Sequence, residues 1–257
     1  MNDSELGQIT QCTKKILTGL VVAIFFLGGC TSYVTPGGGV SLSTLTEADT
    51  DIQEVMSRKP ASPFPVRLAI VRIQQSGYYS YRNQSYGHGR YSIVTTRDIE
   101  TDAHFKQLER LPMISAVAIL SQVVTPPELK SDKELRLAAA KLHTDMLMVY
   151  TLNTTFRVKD HDIGPFGLIT LGFLPNQEAM VTTTASAAIY DVRTGYTYGV
   201  AESTAKEKQI ASVWTSADAV DETRTKAETN AFEQMLDQFA VTWKGIVEQY
   251  ASKTETP

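Results

Sequence analysis

The hydrophobic positions of this chain follow two periods, one typical of strands and one typical of helices. Residues 66–73 and 114–120 are short runs rich in apolar and β-branched side chains, and we expect each to form a strand. Residues 146–152 form a continuous apolar run, which indicates a strand buried on both faces. These three segments predict the centre of a sheet.

A hairpin is predicted further along the chain. Residues 179–190 alternate between two faces, as a strand with one buried face does. Residues 191–195 then predict a turn, because Asp191 can accept hydrogen bonds from backbone amides and Gly195 can adopt a positive φ. Residues 196–204 return as the partner strand.

Helical spacing of apolar residues separates the predicted strands. Residues 101–111 predict a helix with Thr101 as its N-cap and with Phe105 and Leu108 facing inward. A weaker helical pattern covers residues 47–59 and ends at a cluster of prolines.

Two further helices are predicted from a cap and from a long apolar stripe. Residues 131–142 begin with a capping box, in which Ser131 and Glu134 bond each other's backbone amides. Residues 216–251 contain no proline, and their apolar residues recur every three or four positions. The stripe consists of Ala231, Met235, Phe239, Trp243, Ile246 and Tyr250, widened by Phe232, Leu236, Ala240 and Val247.

Together these elements predict an α/β (α+β) fold. Its mixed β-sheet is covered by helices and has a C-terminal β-hairpin and a long amphipathic C-terminal helix. A chain of 257 residues with 42% hydrophobic and 20% charged residues has the composition of a globular protein. We expect residues 48–257 to form a single α/β domain.

The amino terminus carries a targeting signal. Lys14 and Lys15 precede an apolar run at residues 16–27, and Leu27-Gly28-Gly29-Cys30 resembles a bacterial lipobox. The run is about 18 Å long as a helix, short of a hydrocarbon core of about 30 Å, so we interpret residues 1–29 as a removed signal peptide. The alternatives are an uncleaved anchor and an ordinary signal peptide. Lipobox cysteines carry lipid, so the resemblance implies a covalent diacylglycerol and an N-acyl chain on Cys30, and we expect no other cofactor.

Residues 30–47 predict a tether, since they include Pro36 and three consecutive glycines among small polar residues. Thr31 stands where an aspartate retains lipoproteins in the inner membrane of enteric-type bacteria. We therefore expect the domain to face the periplasm from the inner leaflet of the outer membrane, with the inner membrane as the alternative.

The composition of the chain limits the classes of partner that we expect it to bind. The formal net charge is −4, which argues against nucleic acid, because binding to phosphates needs a basic surface. The only cysteine besides Cys30 is Cys12, which lies in the signal peptide, so we expect no disulfide in the mature chain.

Two segments between predicted strands have the composition of contact surfaces. Residues 76–90 combine tyrosine and arginine with serine, glycine and asparagine, as binding loops do, and residues 164–175 are apolar and bounded by prolines. The alternatives are a solvated loop whose tyrosines cover the sheet edge and a loop folded under the C-terminal helix. The candidate contact residues are Tyr78, Tyr79, Tyr81, Arg82, Tyr86, Arg90, Phe166, Leu168, Ile169 and Phe173.

Motifs for catalysis or metal binding are missing from the sequence. The four histidines are widely separated: His88, His104, His143 and His161. Asp160-His161-Asp162 is dense enough for a metal or for acid–base chemistry, but a hydrophilic turn explains it equally well. Glu100 and Asp102 lie at a helix start, where acids complement the helix dipole. We therefore expect no catalytic residue, no metal site and no enzymatic activity.

The order of elements resembles envelope lipoproteins related to the curli-secretion lipoprotein, the TolB amino-terminal domain and the penicillin-binding-protein activators. The resemblance rests on residues 134–150, of the form Leu-x-x-Ala-Ala-x-x-Leu-x-x-Asp-x-x-x-x-Tyr, and on the hairpin at residues 190–195. The chain also resembles the rhombotarget lipoproteins, which share the lipobox, the tether, the central helix and strand, and the apolar segment before the paired strands. Members that rhombosortase processes end in a Gly-Gly motif, an apolar stretch and basic residues. Residues 254–257 depart from that pattern, so we do not expect this processing.

The sequence thus predicts a membrane-anchored, non-catalytic envelope lipoprotein that presents an α/β domain to an envelope protein or to peptidoglycan. An envelope enzyme that uses His161 or His88 is one alternative. An oligomeric secretion-accessory component is another, since the sequence leaves the oligomeric state open.

Overall fold

The computed structural model describes residues 39, 52–75, 88–89, 91–126, 128–160, 177–211 and 217–251, which form eight strands and four helices. The strands are β1 (Val66–Gln75), β2 (His88–Gly89), β3 (Tyr91–Val94), β4 (Ile114–Ile119), β5 (Glu128–Leu129), β6 (Met146–Asp160), β7 (Gln177–Asp191) and β8 (Thr197–Ala211). The helices are α1 (Ile52–Ser57), α2 (Asp102–Glu109), α3 (Asp132–Lys141) and α4 (Ala217–Tyr250).

Strand β1 lies inside the sheet and changes its neighbour partway along one edge. On one side it pairs in parallel with β6. On the other side its first half pairs in parallel with β4, and its second half pairs in antiparallel fashion with β3. Strands β7 and β8 continue the sheet beyond β6, and β5 and β2 continue it beyond β3. The predicted mixed sheet is confirmed.

Helices cover both faces of this sheet. Helices α2 and α4 pack on one face, where Phe105 and Leu108 of α2 join the core formed by α4. Helix α3 packs on the other face through Leu135, Ala138 and Ala139. The predicted stripe of α4 is confirmed, because its central members are 3% exposed or less: Ala231, Phe232, Met235, Leu236, Phe239, Trp243 and Ile246.

The hairpin strands are longer than the sequence predicts. Strand β6 extends to Asp160, and β8 extends to Ala211, whereas the predicted strands end at residues 152 and 204. Most of the added residues are polar, and cross-strand hydrogen bonds help to hold them, such as that between the hydroxyls of Thr154 and Thr183 at 3.0 Å. Apolar periodicity does not reveal such a polar extension.

Two other elements differ from the expected packing. Strand β4 is mostly half-buried rather than buried, because it lies beside only part of β1. Helix α1 covers a shorter segment than predicted and buries none of its residues, with Ile52 and Met56 nearly 80% exposed (78% and 79%).

Asp191 ties the segment before β1 to the β7–β8 turn. Its Oδ1 atom accepts hydrogen bonds from the amides of Arg193 and Thr194 at 2.9 and 3.0 Å, which is the turn contact that the sequence predicts. Its Oδ2 atom accepts from the Ala61 amide and the Ser62 hydroxyl, each at 2.8 Å, and from the Tyr198 hydroxyl at 2.9 Å.

The turn itself is completed by a glycine. Gly195 has a φ of +70°, which an L side chain rarely adopts, so the predicted positive φ at this position is confirmed. Its amide donates to the carbonyl of Asp191 at 2.9 Å.

Gly39, which belongs to the predicted tether, lies against β6. A Cβ atom at this position would be only 2.8 Å from Cβ of Asn153. Glycine therefore allows the backbone to approach the sheet more closely than any other residue would.

Candidate functional site

A cavity opens where β1 exchanges β4 for β3. The Leu120 amide still bonds the Ile70 carbonyl at 2.9 Å, whereas Arg72 already pairs with Val94 of β3. The two neighbouring strands diverge at this point and leave a cavity of about 190 Å³. It is lined by Ile70, Val71, Arg72, Val94, Thr95, Thr96, Arg97, Glu100, Phe105, Ile119, Leu120, Ser121 and Tyr150.

Arg72, Glu100 and Tyr150 form the polar floor of the cavity. Glu100 Oε1 accepts a hydrogen bond from the Tyr150 hydroxyl at 2.6 Å and from Arg72 Nη1 at 3.3 Å. Arg72 Nη1 also donates to Asp98 Oδ1 at 2.8 Å. The side chains of Arg72 and Glu100 are 1% and 3% exposed, so this ion pair lies out of contact with bulk solvent.

The network continues into helix α4. Arg224 Nη1 lies 3.7 Å from Asp98 Oδ2, and Arg224 Nε donates to Asp221 at 2.9 Å. Arg224 also donates to Glu228, whose other oxygen accepts from the Thr154 hydroxyl at 2.8 Å. One connected set of charges thus joins the first half of α4 to β1 and β6.

Burial dominates the electrostatics of two groups in this network. Burial, with the nearby Glu100 charge, raises the pKa of Tyr150 well above its usual value, so the phenol stays protonated and donates to the carboxylate. Burial also raises the pKa of Glu228, although the Arg224 charge opposes this effect. The Tyr150 hydroxyl therefore serves as a hydrogen-bond donor to Glu100 in this network.

Glu100 corrects the sequence interpretation. We expected it to complement the dipole of the following helix, but its side chain is buried and bonded to Arg72 and Tyr150. Asp102 does occupy the first turn of α2, where it is exposed and bonded to Arg97 at 2.7 Å. The sequence alone does not distinguish an acidic residue before a helix N-cap whose side chain is exposed from one whose side chain is buried.

Sequence reasoning also missed the charges of α4. Asp221, Arg224 and Glu228 are each 1% exposed. They lie three and four positions apart and continue the spacing of the apolar stripe toward the amino end of the helix. Charged residues that continue the spacing of an apolar stripe therefore indicate a buried polar extension of the same helix face.

The contact residues predicted from sequence lie outside the described residues. This holds for Cys30, for Tyr78, Tyr79, Tyr81, Arg82, Tyr86 and Arg90, and for Phe166, Leu168, Ile169 and Phe173. The structure does describe the strands from which the two segments depart. Strand β1 ends at Gln75 before the first segment, and β6 ends at Asp160 before the second.

The described part of the chain shows neither a cluster of metal-ligating side chains nor a helix that could span a membrane. There, no group of three or more His, Cys, Asp or Glu side chains is arranged to hold a metal ion. No described helix is both long and apolar enough to cross a membrane.

Comparisons with known proteins give only distant structural likenesses. No family model matches the chain, and no curated protein matches it. A DUF330-family protein from Xanthomonas campestris has 13% identity and a TM-score of 0.37, covering 74% of this chain and 93% of its own. A putative neuraminyllactose-binding hemagglutinin homolog from Helicobacter pylori has 9% identity and a TM-score of 0.36, covering 76% and 96%. A PelC dodecamer from Paraburkholderia phytofirmans has 12% identity and a TM-score of 0.26, covering 70% and 94%. At these values the likenesses carry no argument about function.

Proposed function

We propose that this chain is a lipid-anchored envelope protein whose domain acts by contact rather than by catalysis. Acyl chains on Cys30 hold it in the inner leaflet of the outer membrane, facing the periplasm. The proposed membrane anchor is supported by the order and spacing of three features: Lys14 and Lys15, the apolar run that follows them, and the sequence Leu27-Gly28-Gly29-Cys30.

The contact part rests on the topology of the sheet. Strands β1 and β6 are parallel neighbours, with Arg72 opposite Tyr150, so the chain leaves both strands at the same end of the sheet. The segment of residues 76–90 follows β1, and the segment that contains residues 164–175 follows β6. Loops that follow parallel strands at one end of a sheet are a common place for binding.

Strands β1 and β6, which precede the two segments, end at different levels along the strand direction. Strand β6 continues ten residues beyond Tyr150, whereas β1 continues three residues beyond Arg72. At about 3.3 Å per residue, the second segment begins about 23 Å farther out than the first. Residues 76–90 supply tyrosines and arginines and residues 164–175 are apolar, a combination of compositions suited to contact with an envelope protein or with peptidoglycan.

Fractionation of cell envelopes tests the anchor. Wild-type protein should be found in the outer-membrane fraction and should incorporate labelled palmitate, and Cys30→Ser should be soluble and unlabelled. Cys12→Ser is the matched control, because it removes the other cysteine of the chain, and it should behave as wild type. Retention of Cys30→Ser in the outer membrane would contradict the proposal.

A further inference from the structure

Strand β8 forms one edge of the sheet. It spans Thr197–Ala211, a length of 15 residues, and it pairs with β7 on one side. No described strand lies on its other side. The edge of a sheet presents a row of backbone amide and carbonyl groups that a strand of another chain can pair with. The length of β8 therefore makes it a candidate surface for extending the sheet.

The face of β8 that points away from α4 carries charges of both signs. Ala201 and Ala205 are buried with α4, so the residues between them in the alternation, Glu202, Thr204 and Lys206, lie on the opposite face, where all three are exposed. Glu202 accepts a hydrogen bond from the Ser186 hydroxyl at 2.7 Å. Among the residues that the structure describes, Lys206 has no ion-pair partner. The acid and the base thus lie two residues before and two residues after Thr204.

Two copies of β8 are complementary when they pair in antiparallel fashion about Thr204. A two-fold axis perpendicular to the sheet at this residue places Glu202 of each copy directly opposite Lys206 of the other. Opposite charges across an antiparallel pair are stabilising, and like charges are destabilising. An axis at Glu202 or at Lys206 would instead set two like charges against each other. The charges therefore favour self-pairing in the register centred on Thr204.

The side of α4 nearest to the β8 edge is uncharged. The Ser203 hydroxyl donates to the Ala231 carbonyl at 2.6 Å. The Thr242 hydroxyl donates to the Val200 carbonyl at 3.3 Å, so these two contacts define the side of α4 that faces β8. The exposed residues at helical spacing from Ala231 and Thr242 are Gln234, Gln238, Val241 and Gly245. Two symmetry-related copies of α4 would run side by side along these residues without bringing charges together.

We propose that β8 is the interface between two copies of this chain. Strand β8 of one protomer pairs in antiparallel fashion with β8 of its partner about Thr204, and the two sheets become one continuous sheet. This surface is separate from the anchor and from the two contact segments of the proposed function, so either proposal can fail without the other.

Charge reversal on the purified full chain in detergent tests the interface. Native mass spectrometry and sedimentation should show a dimer for wild-type protein. Glu202→Lys and Lys206→Glu should each raise the dissociation constant of the dimer about tenfold or more, because each replaces two cross-strand ion pairs by two pairs of like charges. Glu109→Lys makes the same reversal at an exposed position on α2 and should leave the dimer unchanged.

Mixing the two single variants separates a specific interface from damage to the fold. An equal mixture of Glu202→Lys and Lys206→Glu should form mixed dimers, because one chain then carries two lysines and the other carries two glutamates at the facing positions. A short thiol crosslinker should also join Thr204→Cys to its copy, and it should not join Val123→Cys, which is 93% exposed on the loop after β4.

Four results would overturn the proposal. They are a monomeric wild-type protein at micromolar concentration, single charge reversals that dimerise as wild type does, a mixture that stays monomeric, and crosslinking of Thr204→Cys no stronger than that of Val123→Cys.

Discussion

Asp191→Asn should destabilise the protein far more than its small change in shape suggests. The carboxylate accepts five hydrogen bonds, two from the turn and three from Ala61, Ser62 and Tyr198. An amide retains only one acceptor oxygen, and its NH₂ group would face donors on the other side. Backbone amides, which cannot reverse direction, donate to both oxygens of Asp191, that of Ala61 to one and those of Arg193 and Thr194 to the other. In either orientation, the variant therefore loses at least one of these hydrogen bonds outright.

The size of the loss follows from those contacts. A hydrogen bond to a charged group contributes about 1.5–3 kcal/mol, and an unsatisfied buried donor costs about 1–3 kcal/mol. Because these contacts share one side chain, they do not add fully, and we expect a loss of about 3–5 kcal/mol in the free energy of unfolding. Urea titration followed by circular dichroism measures it. Asp237→Asn, at an exposed position on α4, is the control and should change the free energy by less than about 0.5 kcal/mol.

The pH dependence of the free energy of unfolding provides a second test of the role of Asp191. Burial alone would raise the pKa of Asp191, but its hydrogen bonds from Thr194, Ala61, Ser62 and Tyr198 hold the pKa below its ordinary value of 3.8. Its stabilising contribution is therefore present above the unfolded pKa and is lost as pH falls through the folded pKa. The gap between wild type and Asp191→Asn should narrow in that acidic range. A gap under about 1 kcal/mol at neutral pH, or one equal to that of Asp237→Asn, would refute the reasoning.

Three further variants test the packing of α4. Gly199→Ala would place a Cβ 2.7 Å from Thr242 Cγ2, so it should cost about 1–3 kcal/mol in urea unfolding, and Thr242→Ala in the same chain should recover part of the loss. Trp243→Phe removes the 2.8 Å hydrogen bond to the Pro112 carbonyl and leaves a void, and it should cost about 2 kcal/mol; no measurable loss would contradict that contact. Burial raises the pKa of Glu228 above 4.5, so this group favours folding below the unfolded pKa and loses that effect as pH rises through the folded pKa. Thermal unfolding measured as a function of pH should show this loss of stability in wild-type protein and not in Glu228→Gln. The same pH dependence in both proteins would contradict the raised pKa of Glu228.

Local patterns in the sequence predict most of the architecture. The stripe of α4, the capping box of Ser131 and Glu134, and the turn at Asp191 and Gly195 each depend on residues close together in the chain. Such contacts are encoded by spacing and by residue type, so the helices and most of the strands are found near their predicted positions.

The cavity depends on information that spacing does not carry. Arg72, Glu100 and Arg224 come from three distant parts of the chain, and only the fold brings them together. Its position also requires β1 to exchange β4 for β3, which no local pattern reveals. The same is true of the polar ends of β6 and β8, where strand pairing rather than apolar periodicity decides where the element ends.

Site-specific photo-crosslinking in intact envelopes tests the central claim most directly. A photoreactive residue is placed at Tyr79, at Phe166 or, as the control, at Leu137, which is 60% exposed on α3. The account predicts that Tyr79 and Phe166 crosslink to the same envelope protein or to peptidoglycan in wild-type protein, and that Leu137 does not. Crosslinks from Leu137 alone, or equal labelling from all three positions, would contradict the claim that this end of the sheet makes the contact.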